Sequence, residues 1–232
     1  MNNNQMQNPN NQMGNQMHQN LHTGQIPPTL NHGGHEVFDI HEVLTGTINI
    51  LNLYKLLENH VQDPELRDIM TRQSQFIQEE YNLTLECFKT GQDPSKRTEP
   101  YMMKQGNDFI YGLTPMPPSQ PIQNIAQMTD QQVSVAMLNA LKASASVKTI
   151  AAGETTNPVV RRVIAASIPN CLEMAYEVSV YQNKHHYYQV PQLSQQDMTM
   201  MVNAFAPAQG MPQTMNQNTN MNINTSMNYM KH

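Results

Sequence analysis

An all-α fold, a ferritin-like four-helix bundle made of two antiparallel hairpins, is what three features of this 232-residue sequence predict. Apolar residues recur at helical spacing in four central segments. A capping residue followed by proline opens two of those segments. A long proline-bearing stretch then separates the four into two pairs, each pair joined by only a few residues.

Residues 1–35 are expected to form a disordered, low-complexity tail. In the first twenty positions 17 are Asn, Gln or Met, and the first charged residue is Glu36. Such a segment has no helical or strand period and too little apolar surface to offset backbone ordering, which costs about 1–2 kcal/mol per residue. The domain is expected over 36–193. Its first helix, about 36–61, follows the Gly33-Gly34 break with a stripe of Val37, Ile40, Leu44, Ile48, Leu51, Leu57 and Val61. Asp63-Pro64 supplies an N-cap and a first-turn proline for the second helix, about 63–90. That helix carries Leu66, Ile69, Phe76, Leu83, Cys87 and Phe88 and stops at Gly91.

The crossover, 92–128, is long enough to return the chain along the bundle, so the second and third helices are expected to run parallel. Thr129-Asp130-Gln131-Gln132 fits a capping box for the third helix, about 130–153, which presents Val133, Met137, Leu141, Val147 and Ala151. Asn157-Pro158 opens the fourth, about 158–188, with Val160, Ile164, Ile168, Cys171, Ala175 and Val178; Pro169 in its middle should bend it. Asp63-Pro64-Glu65-Leu66-Arg67 and Asn157-Pro158-Val159-Val160-Arg161 match at an offset of 94 (157 − 63), which suggests duplication of a hairpin. Residues 194–232 repeat the composition of the N-terminus and are expected to form a second disordered tail. The first tail has no Asp, Glu, Lys or Arg and the second only Asp197 and Lys231, too little charge to repel a second copy, so self-association through them is expected.

Composition excludes several functional classes. Charged residues make up 13% of the chain, against roughly 25% in an average domain, and the formal net charge is −5. With 13 basic residues there is no electrostatic footprint for nucleic acid, and no apolar run is long enough to insert in a membrane. Two cysteines, Cys87 and Cys171, make neither a disulfide scaffold nor a zinc site. A dinuclear metal centre in a bundle of this kind uses Glu-x-x-His motifs, and none occurs. Glu42, Glu79, Glu80, Glu173 and Glu177 are instead expected at the surface or paired with Arg67, Arg161 or Arg162. Both cysteines sit on apolar stripes and read as core residues. His185-His186-Tyr187-Tyr188 should close the fourth helix, the histidines favourably placed at its negative end. Most of the nine tyrosines are expected to pack with their hydroxyls exposed, which suits interfaces between copies or with other proteins. No catalytic residue, cofactor or metal ligand is predicted.

Met174-Ala175-Tyr176-Glu177, the run Tyr187-Tyr188-Gln189-Val190-Pro191-Gln192-Leu193 and the Asn157-Pro158 helix start resemble the spore coat protein F family of endospore-forming Bacilli. The likeness spans about Glu36 to Leu193 and is clearest in the second hairpin. Tyr187-Tyr188 stands where many members carry Gly-Trp-Tyr. The resemblance implies a ferritin-like helical domain and a non-enzymatic constituent of the spore coat. It would be synthesised in the cytoplasm of the sporulating cell and act through contacts with other spore proteins. The competing expectation is a ferritin-like metal-binding or redox protein with altered ligands; a weaker one is a soluble adapter whose tails fold on a partner.

Overall fold

The computed structural model describes residues 32–208, which fall into one compact unit ending at Pro191 and a second, from Gln192, considered by itself. Four long helices make up the first unit: α1 (Gly34–Leu57), α2 (Pro64–Thr90), α3 (Asp130–Glu154) and α4 (Pro158–Lys184). Helix α1 starts inside the glycine pair rather than after it. Gly33 is its N-cap, and its N–H donates to Thr156 Oγ1 at 3.1 Å. A Cβ at Gly33 would stand 3.1 Å from that same oxygen, so the close approach of the α3–α4 turn favours glycine there. A short 3₁₀ turn, Glu58–His60, ends the first helical segment.

The caps anticipated from sequence close as local chemistry dictates. Asp63 accepts the Glu65 N–H at 2.8 Å, and Gly91 leaves α2 in the left-handed region (φ 67°) while its N–H returns to Cys87 O at 2.8 Å. Gln132 Oε1 accepts the Thr129 N–H at 3.0 Å at the start of α3. Asn157 Oδ1 accepts two donors, the N–H groups of Val159 (2.9 Å) and Val160 (3.1 Å). Asn157→Ala should therefore lower stability by about 1–2 kcal/mol, read as a shift in the urea midpoint at constant slope.

Helix α4 continues through Pro169 but ends at Lys184, short of the expected 188. His186 adopts φ 60°, and the N–H groups of Tyr187 and Tyr188 both return to Gln182 O, at 2.8 and 3.1 Å. The His-His-Tyr-Tyr cluster is thus a turn folded back on the helix end.

Helix α1 packs on α2 and α3, and α4 packs on the same two neighbours. Glu36, at the start of α1, touches the turn after α3, while Asp130, at the start of α3, touches the turn before α2. Helices α2 and α3 therefore run parallel and α1 opposes both, the single-crossover arrangement expected of the sequence.

The crossover lies against α4 and is pinned by its side chains. The Tyr101 N–H donates to Asn170 Oδ1 (2.9 Å), Lys104 N–H to Glu177 Oε1 (3.2 Å) and Ile110 N–H to Asn183 Oδ1 (2.6 Å). Gly112 N–H reaches Val190 O at 2.9 Å. Contact order rises together in both segments, so the strap and α4 run in the same direction. Asn170 and Glu177, seven residues apart, share one face of the helix, and Asn183 takes the strap further round it near the helix end.

Apolar burial follows the expected stripes on α4, with Val160, Ile164, Cys171, Ala175 and Val178 all inside. On α1 it does not. Ile40, Val43, Thr47, Ile50, Tyr54 and Leu57 face inward, and Ile48 is exposed. Helix α1 is apolar on more than one face, so period alone could not choose between adjacent stripes. Among the tyrosines, Tyr54, Tyr101 and Tyr181 are buried. Their hydroxyls have interior partners, as with Tyr54 Oη donating to Gln73 Oε1 at 2.9 Å.

In the second unit a helix, α5 (Gln195–Val202), occupies part of the expected C-terminal tail. Ser194 caps it by accepting the Asp197 N–H at 3.1 Å, a local signal that composition masks. The remaining tail positions, 1–31 and 209–232, lie outside the described residues.

Candidate functional site

The carboxylates considered for metal binding disperse. Glu42 and Glu79 are exposed and Glu173 is half-buried. Glu80 and Glu177 are buried, and their cations are not Arg67, Arg161 or Arg162. Sequence reasoning missed these partners because each comes from another helix.

Glu177 is fully buried and lies between α2 and the strap. Arg72 Nη2 donates to its Oε1 at 2.7 Å, and Gln73 Nε2 to its Oε2 at 3.1 Å. The Tyr101 hydroxyl also donates to Oε2, and the Lys104 N–H to Oε1. Arg72 extends the network, donating to Tyr101 Oη (2.7 Å) and to Asp68 Oδ2 (2.7 Å). Burial acts to lower the Arg72 pKa, but its bonds to Glu177 and Asp68 prevail and raise it, so the guanidinium stays charged. Burial and the neighbouring Glu177 carboxylate hold the Tyr101 phenol well above its usual range. The buried, hydrogen-bonded Arg72–Glu177 ion pair at its centre ties α2, α4 and the strap together.

A second buried pair joins α2 to α3. Lys148 Nζ donates to Glu80 Oε2 at 3.2 Å, and Glu80 Oε1 accepts Asn170 Nδ2 at 2.6 Å. Burial disfavours the charged lysine, but Glu80 more than offsets this and raises its pKa. Lys148 also lies 3.3 Å from Cys171 Sγ.

Two further carboxylates act as clasps at opposite ends. Glu36 Oε2 accepts the N–H groups of Thr156 (2.8 Å) and Asn157 (2.9 Å). Asp130 accepts those of Gln62 (2.8 Å) and Asp63 (3.2 Å). Each partner set is related to the other by the repeat offset: 130 − 36, 156 − 62 and 157 − 63 all equal 94. The cap residues obey the same rule, with Asn157 Nδ2 donating to Gly91 O at 3.2 Å and Asp63 Oδ2 lying 3.3 Å from His185 Nε2. Thus the first acid of each hairpin holds the turn of the other, as two copies related by a twofold axis would do.

The Glu36 carboxyl lies below its ordinary value of 4.5. Burial pushes it up, but donors from Thr156, Asn157 and His32 together prevail. A depressed folded value contributes stability that is present above the unfolded value and lost as pH falls through the folded one. Stability should therefore decline as pH drops below about 4.5, and Glu36→Gln should flatten that part of the curve, measured as urea midpoints against pH.

At the start of α1 and the end of α3, His35, Asp39 and Glu154 bring three ligand-type atoms within 4.8 Å of one another. His35 is 86% exposed and its Nδ1 is 3.0 Å from Glu154 Oε2, an ion-pair geometry at the surface. A groove of about 430 Å³ between α2 and the start of the strap is lined by Phe76, Glu79, Glu86, Lys96, Arg97 and Glu99. Within it Glu86 accepts the Ser95 N–H (2.8 Å) and hydroxyl (2.9 Å).

Fold and interior together define the class as an all-helical body whose buried charged groups hold its own segments in register. The coat F domain model matches residues 129–191, which take in α3, α4 and the turn after α4. The chain is 52% identical over 183 residues to spore coat protein F-like protein YhcQ of Bacillus subtilis (strain 168), covering 78% of this chain and 84% of that protein. The chain belongs to the spore coat protein F family. A crystal structure assigned to a spore coat protein of Bacillus halodurans C-125 superposes with a TM-score of 0.50 at 16% identity, over 70% of this chain and 94% of that one. At that identity the likeness bears on the fold, and it agrees with an all-helical body. Among the described residues no helix is long and apolar enough to cross a membrane.

Proposed function

We propose that this chain is a structural constituent of the bacterial spore coat, a non-enzymatic helical block acting through protein–protein contacts. The observation that carries the reading is the 52% identity to YhcQ across most of both chains. The interior supports it: Glu177 and Glu80 are each paired with a cation from a neighbouring helix. In this reading residues 36–193 are the body and the Asn/Gln/Met-rich segments 1–35 and 194–232 are adhesive, binding other coat proteins or further copies. Exposed Met198, Met201, Val202 and Phe205 support an adhesive role for the second. The protein is made in the cytoplasm of the sporulating cell and deposited in the coat.

Fractionation of purified spores tests the proposal. The chain should leave the spore with the coat extract, and its recovery in the core fraction would overturn the assignment. Deleting 1–35 and 198–232 should abolish incorporation if the tails are the adhesive parts. Binding of about two equivalents of iron or manganese per chain by the purified protein would support the metalloprotein alternative instead.

A further inference from the structure

The two cysteines occupy opposite chemical settings. Cys87 is fully buried, its thiol donates to Thr84 O at 3.2 Å, and burial pushes its pKa up to about 12. Cys171 is also buried, but Lys148 Nζ lies 3.3 Å from its sulfur and Ser144 Oγ 3.7 Å from it. A cation beside a sulfur and a hydroxyl within reach are the surroundings in which thiols react with peroxide. A cleft of about 120 Å³ between α1 and α3, walled by small residues including Gly46, Ala140 and Ala143, reaches Ser144 and Lys148, the two side chains against the Cys171 sulfur. It has room for several molecules the size of water or peroxide.

We propose that Cys171 and Lys148 form an oxidant-responsive modification site, in which peroxide oxidises the thiol and Lys148 then closes on the sulfur to form a covalent sulfur–nitrogen link between α3 and α4. In the first step hydrogen peroxide transfers one oxygen to sulfur; the thiol becomes a sulfenic acid, the peroxide O–O bond breaks and water leaves. In the second the Lys148 ammonium gives a proton to the Glu80 carboxylate 3.2 Å away, and its freed lone pair attacks sulfur. The S–O bond breaks, and the departing hydroxide takes a second proton from the nitrogen to leave as water. Sulfur is oxidised by two electrons and peroxide is reduced by two; Glu80 ends protonated. With no second thiol against Cys171, the amine is the nucleophile in place to cap the sulfenic acid before further oxidation.

The test is peroxide treatment of the full-length protein, then alkylation, proteolysis and mass spectrometry. The peptides bearing Lys148 and Cys171 should be recovered as one species, lighter by two hydrogens than their sum and separated again by dithiothreitol. Cys87 should be recovered as an alkylated thiol. In Lys148→Arg, which keeps the charge and removes the amine, the linked species should vanish and a sulfenic acid at Cys171 should become trappable by dimedone. Recovery from the wild-type protein of Cys171 as a free thiol, or as a sulfinic acid with Lys148 unlinked, would overturn the proposal without reliance on any variant.

Discussion

Glu177→Ala should be the most destabilising single substitution in the bundle, lowering stability by about 3–5 kcal/mol. Removing the carboxylate leaves Arg72, whose side chain is only 17% exposed, with the half-exposed Asp68 as its remaining counter-ion, and leaves Gln73, the Tyr101 hydroxyl and the Lys104 N–H without their shared acceptor. A buried cation that has lost its buried partner is costlier than a lost contact, because its desolvation is no longer fully offset. Chemical denaturation should show a lower midpoint, and protease should cut first in the strap around Tyr101, where the tether has been released. Glu177→Gln, which keeps two of the acceptor positions but not the charge, should fall between wild type and alanine. Equal stability of Glu177→Ala and wild type would show that the strap is held by other means.

The Lys148–Glu80 pair gives the second large effect, and its signature is non-additivity. Either Lys148→Met or Glu80→Leu alone should lower stability by about 3–5 kcal/mol, since each leaves one buried charge unpaired. The double substitution should recover most of that loss, because two apolar side chains fill the site without desolvating any charge. A double-mutant cycle by urea denaturation reads the coupling directly. If the single losses simply add, the two groups do not interact in the folded protein.

Much of the architecture was legible because it is locally encoded. Asp63-Pro64, Asn157-Pro158, Thr129 and Gly91 mark helix ends through bonds within three or four residues, and each sits where its chemistry requires. Crossover length and the two short turns then leave few ways to pack four helices. The buried charges were illegible for the opposite reason. Glu177 meets Arg72 across 105 residues and Lys148 meets Glu80 across 68, and nothing in a single helix announces either partner. One signal was present in the sequence: Asn170, Glu177 and Asn183 are polar positions in a helix otherwise rich in apolar residues, and buried polar groups call for partners to satisfy them. The 94-residue repeat was likewise recognised at the helix starts, while its continuation through Glu36 and Asp130 became visible only when each acid was seen gripping the other hairpin's turn.

The coat F match over 129–191 covers one hairpin with its turn, and the reciprocal clasps show that the preceding hairpin plays the same part in reverse. Fusing the two in one chain makes their pairing independent of protein concentration.

The strap also sets a timetable. Its anchors at Tyr101, Lys104 and Ile110 bond to side chains 69 to 73 residues later, so during translation it leaves the ribosome well before the helix that receives it. Until α4 emerges, Arg72 and the Tyr101 hydroxyl must stay hydrated, and the nascent first half waits as an open hairpin with a loose trailing segment. Closure of the whole body is thereby deferred to the last stretch of synthesis, when α4 arrives carrying the acceptors for Tyr101, Lys104 and Ile110.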